Sequence, residues 1–180
     1  MKKGNEPSSA AGLGRKFSRN TAKRKGEVAE AAFLSKATDL GFDVAKPWGD
    51  SARFDFIVHA GSRCWRVQVK SAGSCQWRGY GVRPSGNQHV AYTQDDIDFL
   101  VAYIVPESIW YVIPVEAIHG LSRLWFFPHH KRSSRFEIYR EAWCLMACPR
   151  DGECSPEISV HRRCLGTASG ECPFRGDPAR

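Results

Sequence analysis

Several features that would assign the chain to a specialised class are missing from its sequence. Its seven cysteines include no C-x-x-C pair, no apolar run approaches the length of a membrane-spanning helix, and the N-terminus lacks the apolar segment of a secretory signal. An odd number of scattered cysteines also fits a disulfide framework poorly. We therefore expect a cytoplasmic protein with reduced thiols and no membrane partner.

Acidic residues are almost absent from the first 26 positions. This stretch holds eight Lys and Arg against Glu6 alone, which equals the whole net charge of +7 and leaves the rest of the chain neutral. It is also rich in Gly and Ser and poor in large apolar residues, so it cannot bury enough surface to fold by itself. Residues 1–25 are predicted to form a disordered basic arm that attracts an anionic partner.

From Gly26 onward the pattern predicts an α/β domain over residues 26–148. Apolar residues recur at helical spacing over 27–40, and Gly41 supplies a stop. The later elements, in chain order, are predicted as strands at 43–46, 99–105, 109–113 and 124–127 and helices at 115–119 and 136–146. This order predicts a mixed β-sheet flanked by helices. Residues 149–180 are expected to form a disordered, cysteine-containing tail.

The stretch RFDFIVHAGSRCWRVQVK, residues 53–70, predicts a β-hairpin. Two runs of alternating side chains flank Gly61 and Ser62, and Gly at the first central position is what a two-residue type II′ turn requires. With this turn Ala60 pairs with Arg63. The register of the whole hairpin follows from that pair.

In this register Asp55 lies directly opposite Gln68. Side-chain alternation then predicts that Asp55, Gln68 and Lys70 share one face of the hairpin, while Phe54 lies with the core residues on the other. A carboxylate and an amide oxygen are hard ligands of the kind that Mg²⁺ prefers, and a nearby ammonium offsets the charge that develops when a phosphate is attacked.

The preceding helix offers a further acid. Glu27 and Glu30 lie three residues apart on one helical face, so either could reach the cluster. The residues alone leave the choice between them open.

These residues resemble the PD-(D/E)xK nuclease superfamily. The restriction-endonuclease-like core of that superfamily is a helix followed by three strands that carry Asp and then (Glu/Asp/Gln)-x-Lys. The matching segments are the Glu in KGEVAE, Asp55 in RFDFIV and Gln68-Val69-Lys70 in RVQVKS. More narrowly, the Q-x-K form and the segments GFDVAKPWGDSARFD and IDFLVAYIVPESIWYVIP resemble the branch that includes group I intron-encoded homing endonucleases. The resemblance covers roughly residues 25–146.

The resemblance implies a magnesium-dependent endonuclease that hydrolyses phosphodiester bonds of double-stranded DNA. It implies metal binding by Asp55, Gln68, Glu30 and the backbone carbonyl of Val69, with Lys70 as the catalytic lysine. All of these except Val69 are predicted to be catalytic.

The family pattern favours Glu30 over Glu27, because Glu30 stands four residues after Gly26, as the family's glutamate commonly does after its glycine. Two departures stand out. Phe54 occupies the position of the family's proline, and Gln68 replaces an acid, which removes one negative charge and should weaken metal affinity.

DNA contacts are expected from basic and aromatic residues in three places. The Gly-rich stretch after Lys70 is predicted to be a long loop or flap, in which aromatic side chains contact DNA or alternatively pack down as a lid. The candidate contact residues are Arg53, Trp77, Arg78, Tyr80 and Arg83, together with Lys23, Arg24 and Lys25 of the arm.

Two other functions remain open from the sequence. One is a DNA-binding module of the same fold that has lost catalytic activity. The other is a zinc-bound tail on a structural domain, for which only Cys144-x3-Cys148 and His161-x2-Cys164 approach ligand spacing. Cutting both strands commonly needs two active sites, so a symmetric homo-oligomer is a further expectation that no single residue carries.

Overall fold

A computed structural model describes residues 22–49, 51–76, 79–86, 89–129 and 134–147. The strands are β1 Asp43–Ala45, β2 Phe56–Ala60, β3 Arg63–Ala72, β4 Tyr80–Val82, β5 Phe99–Ile104, β6 Ile109–Pro114 and β7 Leu124–Phe126. Five of them form a mixed sheet in the order β1-β2-β3-β5-β6, and β4 and β7 form a second, two-stranded sheet. The α-helices are α1 Ala22–Asp39 and α2 Cys144–Ala147, with 3₁₀ turns at Val105–Glu107, Val115–Ile118 and Glu137–Tyr139. The predicted mixed α/β class is confirmed.

The predicted hairpin is present with the predicted register. Ala60 pairs with Arg63, and the antiparallel ladder continues to Phe56 and Val67. Gly61 has a φ of 62°, the conformation that glycine adopts at the first central position of a type II′ turn. The two-residue turn therefore fixes the register of β2 against β3.

Followed from the turn, the ladder ends at Phe56 and does not include Asp55. The backbone N–H of Asp55 donates to the carbonyl of Val67 at 2.9 Å, outside the regular pairing of β2 and β3. Because the alternation of side chains is broken there, Phe54 does not join the helix-facing core as expected. It packs instead against the cluster on the opposite face of the sheet.

Strand β3 lies at the centre of the sheet and pairs on its other side with β5 in parallel. The segment FLVAYI of β5 is a continuous apolar run, as expected for a strand that is covered on both faces. Asp98, just before β5, accepts the N–H of Arg66 at 2.7 Å and donates its own N–H to the Arg66 carbonyl at 2.9 Å. These bonds hold the start of β5 beside β3.

Helix α1 covers one face of the sheet through an aromatic cluster. Phe33 is completely buried, and its ring centre lies 5.0 Å from that of Phe56, 5.9 Å from Trp143 and 6.2 Å from Trp110. Ala37 of the same helix face is also completely buried. This contact positions the helix, and with it Glu30, over the sheet.

The second face of the sheet is covered by the β4–β7 sheet. Leu100 and Ala102 of β5 point into this layer and are completely buried, as are Leu124 and Phe126 of β7. Both faces of the main sheet are therefore packed.

The helix predicted at 27–40 begins earlier, at Ala22. Residues 22–25 were expected to belong to the disordered arm, yet Ala, Lys and Arg have high helix propensity and extend the helix by about one turn. Residues 1–21 lie outside the described residues, as does the tail from 148 onward.

The helix predicted at 136–146 is wrong. The segment forms a 3₁₀ turn, then passes Glu141 at a φ of 50°, and only Cys144–Ala147 is α-helical. Glu141 donates its N–H to the carbonyl of Trp110 at 2.8 Å and accepts the Trp110 N–H on its carboxylate at 3.0 Å. Hydrogen bonding to β6 therefore overrides the local helical pattern, and Ile138 in this segment is exposed.

No helix among the described residues is both long enough and apolar enough to span a membrane.

Replacing Phe33 should test how strongly α1 is held on the sheet. Phe33→Ala removes a completely buried ring and should destabilise the fold by about 3–5 kcal/mol. The adjacent Leu34 is 42% exposed, so Leu34→Ala should cost under about 1 kcal/mol. Urea unfolding monitored by circular dichroism measures the stability of both variants. Equal losses for the two variants would contradict the proposed aromatic anchor.

Candidate active site

The five residues predicted for catalysis and metal binding line a single cleft of about 1030 Å³. The cleft lies between the N-terminal half of α1, residues 46–49 and 51–55 between β1 and β2, strand β3, and Gly86, Val90 and Tyr92. The five are Glu30, Asp55, Gln68, Val69 and Lys70. The fold therefore brings together side chains from three separate elements.

The Asp55 carboxylate is the most constrained group of the cleft. Its Oδ2 accepts the backbone N–H of Val69 at 2.8 Å and the Nε2 of Gln68 at 2.5 Å. The same Nε2 donates to the carbonyl of Val69 at 3.2 Å. Gln68 thus faces Asp55 as expected, but it presents its amide nitrogen to the carboxylate in place of the amide oxygen.

Burial and neighbouring charges shift two pKa values in the cleft. Burial raises the pKa of Asp55 above 3.8, and the negative charge of Glu30 adds to this, against the opposing hydrogen bond from Val69 and the charge of Lys70. Burial also lowers the pKa of Lys70, although Asp55 and Glu30 partly oppose that change. Both shifts disfavour the charged forms, as expected for partly desolvated groups.

Glu30 is the helical acid that interacts with the cleft's charged groups. Its charge acts on both Asp55 and Lys70. Its Oε2 lies 2.7 Å from the Nζ of Lys46, in the loop after β1. Glu27 also lines the cleft, but it is exposed. Lys46 was not predicted, because nothing in its sequence spacing indicates that the loop folds back onto α1.

Tyr92 is a second residue that the sequence did not indicate. It lines the cleft although it is almost completely buried, and the Nζ of Lys70 and the guanidinium carbon of Arg53 each lie 5.5 Å from its ring centre. Both distances are within cation–π range. Burial raises the pKa of Tyr92 to about 12, so its phenol stays protonated near neutral pH.

Arg53, expected to contact DNA, also makes contacts within the protein. It forms an ion pair with Asp96 at 2.8 Å and donates to the carbonyls of Val90 and Ala91 at 3.3 Å. Arg53 therefore ties the segment that carries Tyr92 to the loop before β2.

The other candidate DNA contacts have different outcomes. Tyr80 lies in β4, is buried, and donates its hydroxyl to Glu107 at 2.6 Å, so its ring packs within the fold, which was the alternative to a DNA contact. Arg83 is exposed and lies 3.5 Å from His89. Trp77 and Arg78 lie outside the described residues. Lys23, Arg24 and Lys25 are exposed in the first turn of α1, and Lys23 lines the cleft.

The cysteine hypothesis gains no support from the part of the chain that the structure describes. In that part no three His, Cys, Asp or Glu side chains are placed to hold a metal ion. Cys144 is buried in the helix-facing core. The remaining residues of the two spaced pairs, Cys148, His161 and Cys164, lie outside the described residues.

The cleft nevertheless has the donor chemistry of a magnesium site. The predicted ligands in it are the carboxylates of Asp55 and Glu30, the amide of Gln68 and the carbonyl of Val69. All four can provide oxygen atoms, which Mg²⁺ prefers, and Mg²⁺ commonly keeps several waters and so needs few protein ligands. Gln68 would have to rotate its amide to offer its oxygen.

Comparison with known proteins identifies the family of the chain. The PD-(D/E)XK endonuclease family model matches residues 20–143. The chain belongs to the PD-(D/E)XK endonuclease family. Its fold is also similar to the solved structure of a bacterial homing endonuclease, I-Ssp6803I, with a TM-score of 0.63 and 30% sequence identity over 71% of this chain and 93% of that chain. No curated protein matches the chain.

For this PD-(D/E)XK endonuclease, the two departures from the family motif have structural explanations. Phe54 packs its ring against the second core cluster, so the position contributes to the fold. Gln68 is 8% exposed and donates to Asp55, a contact that a third carboxylate would replace with repulsion.

The raised pKa of Asp55 predicts a pH-dependent gain in stability for Asp55→Asn. Because the folded-state pKa lies above 3.8, the folded protein holds this proton more tightly than the unfolded chain, and ionisation of Asp55 costs stability at neutral pH. Asp55→Asn should therefore be more stable than wild type at pH 7 in metal-free buffer. The gain should shrink as the pH falls through the folded-state pKa.

Urea unfolding at a series of pH values measures this difference. Asp43→Asn is the control, because the Asp43 side chain is 89% exposed and its replacement should change stability by less than about 0.5 kcal/mol at each pH. A less stable Asp55→Asn variant at pH 7 would show that the hydrogen bonds of Asp55 outweigh its desolvation.

Proposed function

We propose that this protein is a magnesium-dependent endonuclease that hydrolyses phosphodiester bonds of double-stranded DNA. One observation carries the proposal: Asp55, Glu30 and the oxygen donors of Gln68 and Val69 converge in one cleft beside the half-buried ammonium of Lys70. The family and the similarity to a homing endonuclease support DNA as the substrate.

Asp55 and Glu30 would hold the metal ion, with the carbonyl of Val69 and the rotated amide of Gln68 as further ligands. Bound Mg²⁺ supplies a Lewis acid that polarises a phosphoryl oxygen and lowers the pKa of a bound water. Asp55 is suited to this task because the Val69 N–H fixes one of its oxygens, at 2.8 Å. Glu30 would exchange its present partner Lys46, at 2.7 Å, for the metal.

Lys70 would act on the phosphate and on the attacking water. Its side chain is half-buried and lies beside the Tyr92 ring, which limits where the ammonium can point. In a partly desolvated cleft a fixed positive charge offsets the negative charge that develops on the phosphate more strongly than in water. Because burial lowers the pKa of Lys70, a larger fraction of its amine is uncharged than for an exposed lysine, and this form, unlike the ammonium, can accept a proton from an attacking water.

A DNA-binding module without catalytic activity is the second candidate. The observation that favours it is the Gln68 amide, whose nitrogen donates to Asp55 and so occupies the carboxylate on which metal binding depends. Under that alternative the protein would bind DNA and would never cleave it in magnesium.

Cleavage of both strands would require two such clefts. A symmetric homodimer would supply them, since each cleft is built from one chain and acts on one strand.

Lys70→Ala should abolish strand cleavage while leaving the fold intact. Loss of a charge that stabilises the transition state typically reduces the rate by about 10²–10³-fold. The assay is nicking of supercoiled plasmid in magnesium. Lys36→Ala is the matched control, because Lys36 lies on α1 away from the cleft with 28% of its side chain exposed, and it should nick at the wild-type rate.

Equal nicking by wild type and Lys70→Ala would show that the assigned site is wrong. A wild-type protein that shifts a DNA band but never nicks plasmid would support the DNA-binding alternative.

Glu30→Gln and Glu27→Gln should separate the two helical acids. Glu30→Gln removes a carboxylate that interacts with Asp55 and Lys70, so the magnesium concentration for half-maximal nicking should rise about tenfold or more. Glu27→Gln removes the same charge from an exposed position and should leave that concentration within about twofold of wild type. A larger effect for Glu27→Gln would reassign the metal ligand to Glu27.

A further inference from the structure

Trp48 lies at the rim of the cleft with its indole fully exposed. Its two neighbours, Pro47 and Gly49, both line the cleft. Gly49 has a φ of 77°, and a Cβ built on it would meet no atom within 4 Å. Glycine therefore suits this position because of its positive φ and not because space is limited. The proline and this turn hold Trp48 on the outside of the loop.

The loop that carries Trp48 is fixed at both ends. At its start Lys46 pairs with Glu30 at 2.7 Å, and at its end Arg53 pairs with Asp96 at 2.8 Å. Trp48 is therefore presented from a segment tied to the catalytic cleft on either side. Its position relative to the cleft is set by the same ion pairs that order the cleft's walls.

An exposed indole contributes little to folding, because its apolar surface stays in water. Single exposed apolar residues are ordinary, but Trp48 does not stand alone at this cleft. Val90 is half exposed and lines it. The cleft thus has uncovered apolar surface at Val90 as well as at Trp48.

Basic residues accompany these apolar groups. Four basic side chains line the cleft, against three acidic ones, of which Glu30 and Asp55 are partly or largely buried. The four are Lys23, Lys46, Arg53 and Lys70, and Arg24 and Lys25 are exposed nearby in the first turn of α1. Exposed cations beside an exposed aromatic ring are the features with which proteins bind phosphates and stack on bases.

We infer that Trp48 contacts a DNA base at the rim of the cleft, by stacking on an exposed base or by insertion at a base step next to the cleaved phosphate. The inference rests on the proposed DNA endonuclease function and extends it to a residue outside the catalytic set. Insertion of an apolar side chain unstacks a base step and bends the duplex, which would help to bring a phosphate down to Lys70 and Asp55.

The test is binding of a fluorescently labelled random-sequence duplex without metal ions, measured by anisotropy at several salt concentrations. Trp48→Ala should raise the Kd about tenfold, which corresponds to about 1.4 kcal/mol, because it removes a base–aromatic stack. The slope of log Kd against log salt should not change, since no charge is removed. Trp48→Phe should remain within about threefold of wild type because it keeps an aromatic face.

Ile138→Ala is the matched control. Ile138 is 63% exposed and does not line the cleft, so this variant should bind with wild-type affinity. All three variants should keep the wild-type thermal midpoint, because both positions are exposed.

Several outcomes would overturn the inference. Wild-type affinity for Trp48→Ala would show that the indole does not contact DNA, and a lowered thermal midpoint would show that it packs within the fold. A smaller mass of Trp48→Ala in sedimentation would place Trp48 between copies of the chain. If the wild-type protein does not bind DNA, both the proposed function and the inference are wrong. If the wild-type protein binds DNA and Trp48→Ala binds with the same affinity, only the inference is wrong.

Discussion

The arrangement of the cleft depends on the hydrogen bond between the Asp55 carboxylate and the backbone N–H of Val69. Asp55 belongs to the loop that enters β2, and Val69 belongs to the central strand β3, so this one bond of 2.8 Å joins the two parts of the site. It forms only if the hairpin has the register set by the Gly61–Ser62 turn. A slip of one residue would turn Gln68 and Lys70 to the opposite face of the sheet.

The hairpin and the buried strands were predictable because their determinants are local. A glycine at the first turn position selects the turn, and the continuous apolar run of β5 shows that both of its faces are covered. The helix predicted at 136–146 was wrong because the structure of this segment is determined by a contact that is remote in the sequence. Glu141 forms hydrogen bonds with Trp110 of β6 through both its backbone and its carboxylate. No periodicity within the segment reports that contact.

The same difference between local and remote determinants explains which residues of the cleft could be predicted to lie close together. Asp55, Gln68 and Lys70 are related by hairpin register, so their proximity could be derived from sequence. Lys46 and Tyr92 reach the cleft through tertiary contacts, an ion pair with Glu30 and a ring beside Lys70, and their sequence neighbourhoods carry no corresponding pattern. The prediction from side-chain alternation was also wrong for Phe54. The ladder stops at Phe56, and the chain bends at Asp55, so Phe54 packs on the other face of the sheet.

Gln68 changes the charge balance on which the cleft depends. The nearby charge of Glu30 already raises the pKa of Asp55, and a third carboxylate in this partly desolvated space would raise it further and favour the protonated, non-ligating form. The Gln68 amide instead donates to Asp55 at 2.5 Å, and this bond holds the Asp55 Oδ2 in place without a metal ion. The substitution therefore gives up one ligand charge but leaves the metal-free cleft ordered. Because Glu30 is one of the two carboxylates proposed as ligands, its pairing with Lys46 is the contact that the proposed metal ion would have to displace.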